Sequence, residues 1–357
     1  MNRRIRVAVL AGGRSSEHEI SLASARSVLE ALDPDRYEAV TVAIGRDGRW
    51  ELGGGQVFHV PEETKELRRV ETRNMKDLTP AETLPIPTTG SAPTALGEVD
   101  VVLPILHGPF GEDGTVQGLL ELADVPYVGA GVAASSLCMD KDLFKKVMRD
   151  SGVPVAEHVA LRLGDAIQNP FGYPVFVKPA RLGSSVGISK VHDESELAPA
   201  VELARQHDEK VLVEEFVAGM EVECGVLGNR VPPPIASLPG RIDTLEHEWY
   251  DFASKYDEGG MDLVIPPELP RETIARVQQL SVDAFVASEC EGMARVDFFV
   301  REGGEVIVNE LNTIPGFTST SVYAKLFEAS GIPYAELLDR LVDLAVERHE
   351  RRSKLKY

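Results

Sequence analysis

The sequence has little cysteine and no excess of cationic residues. Its three cysteines, Cys138, Cys224 and Cys290, are far apart in the chain and show no metal-binding spacing. They predict neither a disulfide framework nor a cysteine metal site, and they favour a reducing cytoplasm. Lysine and arginine number 37 against 57 aspartates and glutamates, which gives a formal net charge of −20. That charge argues against general binding to nucleic acid or to anionic membrane surfaces.

Long apolar runs are also missing. No stretch approaches the roughly 18 residues that a membrane-spanning helix needs, so no transmembrane segment is predicted. The opening "MNRRIRVAVLAGG" is basic, but its apolar run is short and has no A-x-A cleavage site. It predicts a first β-strand rather than a signal peptide. At about 150 residues per domain, 357 residues predict two or three domains.

The first third of the chain alternates strands and helices. Strands are predicted at residues 5–10, in "YEAVTVAI" and at 99–106, with helices in "SSEHEISLASARSVLEALD" and "GTVQGLLELADV". Ser16 and Glu19 fit a capping box for the first helix. This βαβ pattern predicts an α/β domain over residues 1–130. Residues 60–97, rich in charge and then in Pro, Thr, Ser and Gly, predict a surface insertion.

Two further units are predicted after residue 130. A helix at 141–151 and the order strand, loop, strand, helix, strand indicate a small α+β unit over residues 131–218. Residues 219–357 contain longer strands, a helix at 271–289, the neighbouring strands "ARVDFFV" and "EVIVNELN", and a closing helix "PYAELLDRLVDLAVERHERR". The short turn "REGGE" predicts that these two strands pair.

The stretch "VKPARLGSSVGIS" resembles a phosphate loop in an unusual order. It fits neither G-x-x-x-x-G-K-[ST] nor G-x-G-x-x-G, because Lys178 precedes the glycines. A lysine at a strand end can supply a point charge, while a flexible loop at 181–187 offers backbone N–H groups to a phosphate. The alternative is an ordinary Ser/Gly turn beside a solvated lysine.

Four polar residues share one face of the two neighbouring strands. Side chains two residues apart on a strand point the same way, so Glu310 and Asn312 share a face that Asp297 and Arg295 can join from the other strand. Two carboxylates and an amide oxygen suit magnesium held against phosphates. The alternative is a structural ion pair between Arg295 and Glu310.

Several separated motifs resemble one family. Lys178 before a Gly/Ser loop, "VEEFVAGMEVE" and "ARVDFF…NELNTIPG" resemble ATP-grasp enzymes. Within that superfamily, "AGGRSSEHEIS", "LHGPFGEDGTVQG", "CMDKDLFK", "KPARLGSSVGISKV", "WYDFASKY" and "NELNTIPGFTSTS" resemble D-alanine–D-alanine ligases, in the same order over nearly the whole chain. The resemblance implies an N-terminal Rossmann-like α/β domain and central and C-terminal α+β domains, with ATP bound between the latter two.

The implied activity is ATP-dependent joining of two D-alanines through a D-alanyl phosphate, for peptidoglycan precursor synthesis. By resemblance, Asp297, Glu310 and Asn312 hold two Mg²⁺ ions (or Mn²⁺), with Glu310 bridging. The implied ATP-binding residues are Lys141 and Lys178 at the phosphates, Ser185, Glu214, Glu215, Phe216, Val217, Glu221 and Lys255. Without the resemblance, Phe216 would be assigned to the core. Lys255 would contact either an ATP phosphate or the carboxylate of the second substrate.

The resemblance also assigns the amino-acid sites. Glu17 binds the ammonium of the first D-alanine, with His18 and His107 beside it; the alternative for Glu17 is only a favourable helix-dipole interaction, worth about 0.3–1 kcal/mol. Arg295 and the Gly316 N–H form an oxyanion hole. The second carboxylate meets Ser321 and Val322. A lid over residues 246–262 closes the site, and Tyr256 bonds to Ser184 and through it to Glu17.

Three other functions share features with this sequence. D-Alanine–D-lactate or D-alanine–D-serine ligation on the same scaffold is the nearest, although Tyr256 favours D-alanine because relatives that make the lactate product commonly carry histidine there. A non-catalytic nucleotide-binding protein would need to lack Lys178, Arg295, Glu310 or Asn312, and all are present. A dinucleotide oxidoreductase would need G-x-G-x-x-G. The expected partners are small molecules only, in the cytoplasm, with a homodimer suggested by the family.

Overall fold

Three β-sheets lie within the part of the chain that the computed structural model describes, namely residues 3–53, 99–183, 186–244 and 261–356. The first sheet has the strand order β3-β2-β1-β4. Its elements, with their two helices, are β1 Ile5–Gly12, α1 His18–Ala31, β2 Tyr37–Ile44, β3 Trp50–Gly53, β4 Val101–Ile105 and α2 Thr115–Leu122. Strands β2, β1 and β4 are parallel, and β3 joins β2 in the antiparallel sense.

Parallel strands are usually covered on both faces, and β1 follows that rule. Its residues from Val7 to Ala11 are completely buried, as the apolar run predicts. The capping box predicted for α1 is wrong: the helix begins at His18, and its N-cap is Glu17, which makes no side-chain cap hydrogen bond. Ser15 is the serine that bonds locally, accepting from the Glu17 N–H at 3.3 Å.

The second sheet is fully antiparallel, with the order β5-β8-β6-β7. Its elements and the helices around them are α3 Val132–Met139, α4 Lys141–Asp150, β5 His158–Leu161, β6 Val175–Pro179, β7 Ser189–Val191, α5 Glu194–Arg205 and β8 Val211–Glu215. Helix α4 begins at a working cap, since the Asp140 carboxylate accepts from the Leu143 N–H. Helix α3 and strand β5 were not predicted, because both are short and neither has a clear hydrophobic period.

The third sheet follows the order β12-β11-β9-β13-β14, with β10 paired to β9. Its elements and helices are β9 Met220–Gly228, β10 Ile235–Ala236, β11 Gly240–Thr244, β12 Met261–Val264, α6 Arg271–Ala287, β13 Gly292–Val300, β14 Val306–Asn312, α7 Val322–Ala329 and α8 Tyr334–Ser353. The predicted pairing of β13 with β14 is confirmed. The last two residues of the predicted lid, 261 and 262, lie in β12, and residues 246–260 lie outside the described part.

The C-terminal helix α8 ties the first and third sheets together. Its apolar face, with Leu338, Leu341 and Val342 fully buried, packs in one core with Val7 and Leu103 of the first sheet. The mixed α/β and α+β architecture is therefore confirmed. The three sheets fall within residues 1–130, 131–218 and 219–357, whose boundaries as domains stay a prediction. Of the helices in the described ranges, none is both long and apolar enough to span a bilayer.

Candidate active site

A carboxylate at the start of α1 meets two glycine loops. Glu17 is buried, and its Oε2 lies only 2.9 Å from where a β-carbon on Gly108 would stand. Gly108 also has φ +73°, so both the backbone and the close approach require glycine there. The corresponding position on Gly183 lies 3.7 Å from the same oxygen. The structure therefore brings Glu17, the loop after β4 and the Gly/Ser loop after β6 to one place.

Of the two histidines predicted near the substrate, His107 lies close enough to this carboxylate to feel its charge, and His18 contacts the Gly13 loop. His107 Nδ1 donates to the Ile314 carbonyl oxygen at 3.0 Å, which fixes the tautomer and leaves Nε2 with a lone pair. Nε2 is buried and has no hydrogen-bond partner among the described residues. Burial lowers the pKa of His107 below its usual value, although the Glu17 carboxylate acts to raise it. His18 Nδ1 lies 2.7 Å from the Gly13 carbonyl oxygen.

Glu112 is a site residue that was not predicted from the sequence. Its Oε2 accepts from the Gly108 N–H at 2.6 Å, and its Oε1 accepts from the Ile314 N–H at 3.1 Å. Loss of water contact and the charge of Glu17 raise the pKa of Glu112 to about 8. Together with His107, it holds both backbone polar groups of Ile314. The loop after β14 is thus clamped to the loop after β4.

Helix α1 holds the next part of the same loop. Ser24 Oγ accepts from the Phe317 N–H at 3.4 Å, and Ser27 Oγ accepts from the Ser319 N–H at 2.9 Å. These contacts place Gly316, whose added β-carbon would lie 3.4 Å from Ser321 Oγ, beside the start of α7. The predicted residues Gly316, Ser321 and Val322 therefore lie together. Val322 is the first residue of α7, where backbone N–H groups are free to bind an anion.

Arg295 is held rigidly on β13. It donates from Nε to Asp297 Oδ1 at 2.7 Å and from Nη2 to Oδ2 at 2.8 Å, and its Nε lies 2.9 Å from Glu223 Oε2. Planar bidentate pairing of this kind fixes the orientation of a guanidinium group. Glu223 was not predicted to take part. The suggested ion pair of Arg295 with Glu310 is replaced by these two carboxylates, because Glu310 pairs with Lys141.

The predicted metal ligands do share a face of β13 and β14. Asp297 stands opposite Glu310, and Arg295 stands opposite Asn312. Asn312 Nδ2 donates to Asp297 Oδ2 at 3.0 Å, which turns the amide toward the carboxylate. Within the described ranges no three His, Cys, Asp or Glu side chains form a ready metal-binding group. Two carboxylates and an amide nevertheless fit Mg²⁺, which usually completes its shell with waters and substrate phosphates.

Lysines of α4 and β6 pair with carboxylates of the site, Lys141 with Glu310 on this strand pair and Lys178 with Glu214 on β8. Lys141 Nζ lies 3.1 Å from Glu310 Oε2 and donates to the Leu182 carbonyl at 2.9 Å. The Lys141 N–H also donates to the Ala180 carbonyl at 2.9 Å, which joins α4 to the end of β6. Lys178 donates from Nζ to Glu214 Oε1 at 2.5 Å and is itself buried. The alternative of a solvated lysine is therefore wrong, since the Lys178 side chain is buried against Glu214.

The residues predicted for the nucleotide base lie at the end of β8 and the start of β9. Val217 is buried, and Glu221 lies on β9 opposite Phe299. Glu215 accepts from the Glu157 N–H at 3.0 Å. Phe216 is 38% exposed, with Lys190 Nζ 5.0 Å from its ring centroid. Phe216 is therefore not a core residue, and its exposed ring offers a face on which a base can stack.

A small cavity of about 30 Å³ lies between the proposed metal ligands and the Gly/Ser loop. Its lining includes Glu112, Lys141, Gly183, Glu310 and Asn312, so it draws on all three parts of the chain. Ser184, Ser185, Lys255 and Tyr256 lie outside the described residues, and their roles stay predictions, as does any role of residues 60–97.

Comparison with known proteins agrees with the motifs. A family model described as the D-ala D-ala ligase N-terminus matches residues 6–130, and one described as the D-ala D-ala ligase C-terminus matches residues 147–343. A D-alanine–D-alanine ligase from Arthrobacter sp. (strain FB24) is 45% identical over 363 aligned residues, which cover 96% of this chain and 94% of the relative.

Solved structures give the same answer. The D-alanine–D-alanine ligase from Coxiella burnetii has a TM-score of 0.81 and 37% identity, covering 99% of this chain and 97% of the other. The VanG D-Ala:D-Ser ligase from Enterococcus faecalis has a TM-score of 0.78 and 34% identity, covering 96% and 100%. A Bacillus anthracis D-alanine–D-alanine ligase complexed with ATP has a TM-score of 0.74 and 26% identity, covering 98% and 99%. The chain belongs to the D-alanine–D-alanine ligase family, whose fold is ATP-grasp.

Proposed function

We propose that the protein is a D-alanine–D-alanine ligase that uses ATP and Mg²⁺. The observation that carries the proposal is the meeting of Glu17 with Gly183 of the Gly/Ser loop, 3.7 Å from oxygen to β-carbon position. An amino acid whose ammonium binds Glu17 then presents its carboxylate close to the loop that covers the ATP phosphates. Transfer of the γ-phosphoryl group of ATP to that carboxylate needs mainly positioning and charge neutralisation.

Recognition of the first D-alanine rests on Glu17 and His107. A neutral His107, pinned through Nδ1–H to the Ile314 carbonyl, offers Nε2 only as an acceptor. An ammonium group supplies three N–H donors, which suits one carboxylate and one imidazole nitrogen. This contact also gives the orphaned Nε2 a partner, as a buried polar atom requires.

The reaction proceeds in two steps. A carboxylate oxygen of the first D-alanine attacks the γ-phosphorus of ATP, the bond to ADP breaks, and an acyl phosphate forms. The unprotonated amine of the second D-alanine then attacks the acyl carbon. The tetrahedral intermediate expels phosphate, and the proton that the amine loses as the peptide bond forms leaves with that phosphate. Arg295 and the Gly316 N–H stabilise the oxyanion, a kind of contact worth about 3–4 kcal/mol per donor.

Asp297, Glu310 and Asn312 would hold two Mg²⁺ ions, or Mn²⁺. The ions would neutralise the charge on the transferred phosphoryl group. Lys141 and Lys178 add fixed positive charge on the same side, and Ser185 and Lys255 are proposed to contact the phosphates. Glu214, Glu215, Phe216, Val217 and Glu221 would surround the base and ribose.

The carboxylate of the second D-alanine is assigned to the start of α7. The Val322 N–H points out of the first turn, and Ser321 Oγ lies beside Gly316. A helix N-terminus favours an anion through its free N–H groups and its dipole. The amine of the second substrate then lies next to the proposed oxyanion hole. Tyr256 and Ser184 are proposed to close the lid and exclude water from the acyl phosphate.

The test is a product assay on the purified protein. With ATP, Mg²⁺ and D-alanine, we expect one ADP and one phosphate per D-alanyl-D-alanine, and no dipeptide from L-alanine. ADP release without any dipeptide would contradict the proposal.

The second candidate function is D-alanine–D-serine or D-alanine–D-lactate ligation. The VanG D-Ala:D-Ser ligase of Enterococcus faecalis, at 34% identity, makes it worth testing. Because Tyr256 stands where lactate-using relatives commonly carry histidine, we expect D-alanine to be preferred at the second site. Equal mixtures of D-alanine with D-serine or D-lactate at neutral pH, analysed by mass spectrometry, should give mainly D-alanyl-D-alanine. A dominant depsipeptide or D-alanyl-D-serine product would favour the alternative.

Cytoplasmic location and a homodimer complete the proposal. The homodimer follows from the family resemblance alone, and the cytoplasmic location also from the low cysteine content. Sedimentation of the purified protein tests the dimer directly.

A further inference from the structure

Lys145 is a buried cation to which no role has been assigned above. It lies on α4 one helical turn after Lys141, so both lysines project from the same helix face. The Lys145 side chain has no exposed surface. A buried ammonium is costly unless its charge is compensated and its N–H groups are bonded. Lys145 satisfies this condition by contacting two other parts of the protein.

The first contact is with Glu214. Lys145 Nζ lies 3.0 Å from Glu214 Oε2, while Lys178 donates to Glu214 Oε1 at 2.5 Å. Each carboxylate oxygen therefore has its own lysine. Burial would raise the pKa of Glu214, but the charges of Lys145 and Lys178 lower it to about 2. Glu214 is held as a carboxylate, which can only accept hydrogen bonds.

The second contact is with β14. Lys145 Nζ donates to the Asn309 carbonyl oxygen at 3.0 Å. Asn309 immediately precedes Glu310, the central residue of the proposed metal site. Lys145 has three N–H donors, so it can bond to this carbonyl and also to Glu214 Oε2, which lies 3.0 Å from Nζ. A carboxylate oxygen has two lone pairs, so Lys145 neutralises Oε2 at close range and still leaves an acceptor position for a ligand donor.

That acceptor position has a consequence for the nucleotide. The exocyclic amine of adenine donates hydrogen bonds, whereas guanine carries a carbonyl oxygen at the same ring position. A fixed carboxylate bonds to the first and repels the second. A base without this donor would leave the buried Glu214 carboxylate unpaired. The site should therefore reject guanine strongly in favour of adenine.

We propose that Lys145 is a positioning residue that sets nucleotide specificity: it orients Glu214 to accept from the adenine amine and ties that carboxylate to the strand bearing Glu310. The inference rests on the proposed function in placing the base at Glu214. Lys145 touches neither substrate. It acts through Glu214 and the backbone of Asn309.

The test compares Lys145→Met with Lys146→Met. Lys146 is the next residue on α4, its side chain is 58% exposed, and it pairs with Asp142, so it controls for loss of a helix lysine. For Lys145→Met we expect the KM for ATP to rise about tenfold, the KM for D-alanine to change less than about twofold, and the kcat/KM ratio of ATP over GTP to fall about tenfold. Lys146→Met should leave all three values near those of the unmodified protein.

A purely structural role for Lys145 predicts a different pattern. Lower stability without a change in the ATP-to-GTP ratio would overturn the proposal. If Lys145→Met does not fold, Lys145→Arg decides; if it folds, the double variant Lys145→Met/Glu214→Gln gives a second test. Lys145→Arg should recover most of the discrimination. In the Glu214→Gln background, removing Lys145 should change the ATP-to-GTP ratio little further, and simple additivity of the two effects would contradict the coupling.

A binding measurement separates this inference from the ligase assignment. Calorimetric titration of the unmodified protein and Lys145→Met with ATP and with GTP reports nucleotide preference without any dipeptide being formed. If no D-alanyl-D-alanine appears but ATP is preferred and Lys145→Met loses that preference, the ligase proposal fails and the role of Lys145 stands. If dipeptide forms and the preference is unchanged in Lys145→Met, only the role of Lys145 fails.

Discussion

The proposed nucleotide side of the active site, formed by Lys145, Lys178 and Glu214, holds its charges through ion pairs between side chains. The proposed amino-acid side, formed by Glu17, His107 and Glu112, holds its groups mainly through backbone atoms of two loops. Glu112 accepts from the Gly108 and Ile314 N–H groups, and His107 donates to the Ile314 carbonyl. The nucleotide side lies on strands and a helix, so its charges are fixed by rigid elements. The amino-acid side depends on how two loops are clamped together.

This difference has a functional logic. ATP brings a large negative charge, which fixed lysines and a metal site can neutralise in advance. D-Alanine is small and zwitterionic, so its site needs few charges and accurate placement of loop N–H groups. Substitutions on the nucleotide side should therefore lower turnover or raise the KM for ATP. Substitutions on the amino-acid side should instead impair the use of D-alanine.

The largest effect is expected for Glu310→Gln. The change removes a carboxylate proposed to hold the metal ions and the partner of Lys141, so turnover should fall by more than about a hundredfold. Continuous ADP release measures it, and circular dichroism should show an intact fold. Glu305→Gln is the matched control, since Glu305 lies on the same hairpin with an exposed side chain paired to Arg301. Near-normal ADP release from Glu310→Gln would contradict the assignment of Glu310 as a metal ligand.

A moderate effect on the other side is expected for Glu112→Gln. Glutamine has one carbonyl oxygen and can replace only one of the two acceptors that bind Gly108 and Ile314. The loop bearing Gly316 should loosen, with kcat/KM for D-alanine falling about tenfold while the KM for ATP stays within about twofold. Steady-state kinetics with each substrate varied checks the split. A larger change in the KM for ATP would mean that Glu112 serves the nucleotide side.

Glu112 also predicts a pH dependence of stability. Its pKa is raised from 4.5 to about 8 in the folded protein, so the folded state binds the proton more tightly than the unfolded state. Its contribution to the free energy of unfolding is full below pH 4.5 and is lost as the pH rises toward 8. The stability of the unmodified protein minus that of Glu112→Gln should therefore decrease from pH 5 to pH 8, as urea unfolding at several pH values can show. A difference that grows with pH would contradict the shift.

The smallest effect is expected for Ser27→Ala. The Ser27 hydroxyl accepts from the Ser319 N–H, and losing this contact should cost about 1 kcal/mol of loop stability. We expect the KM for the second D-alanine to rise about twofold to fivefold with kcat nearly unchanged. Kinetics at saturating ATP over a wide range of D-alanine concentrations measures it. A fall in kcat alone would show that Ser27 does not act through substrate binding.

The sequence predicts the groups on strands and helices better than the groups held by loops. The face shared by Arg295, Asp297, Glu310 and Asn312 is a property of two neighbouring strands, and the alternation of side chains predicts it. The ion pairs on that face could not be predicted, because a strand pattern gives the direction of a side chain but not its distance from others. In the structure Arg295 pairs with Asp297 and Glu223, whereas the sequence had suggested Glu310.

The loop contacts had no comparable signal. Glu112 reaches Ile314 across some two hundred positions of sequence, and Ser24 and Ser27 reach the loop after β14 from the first helix. Lys145 did have a signal, since it follows Lys141 by four residues on a predicted helix and so shares its face. The helix period does not predict that Lys145 is buried between β8 and β14. That burial arises only when the second and third sheets pack together.

The central claim is that the two sides meet at one carboxylate, which the phosphate of ATP activates. D-Alanine labelled with ¹⁸O in its carboxylate tests it most directly. The labelled oxygen becomes the bridging atom of the acyl phosphate and leaves with the phosphate when the amine attacks. Mass spectrometry of the released phosphate should find one ¹⁸O atom per dipeptide formed, and unlabelled phosphate alongside normal dipeptide yield would contradict the account.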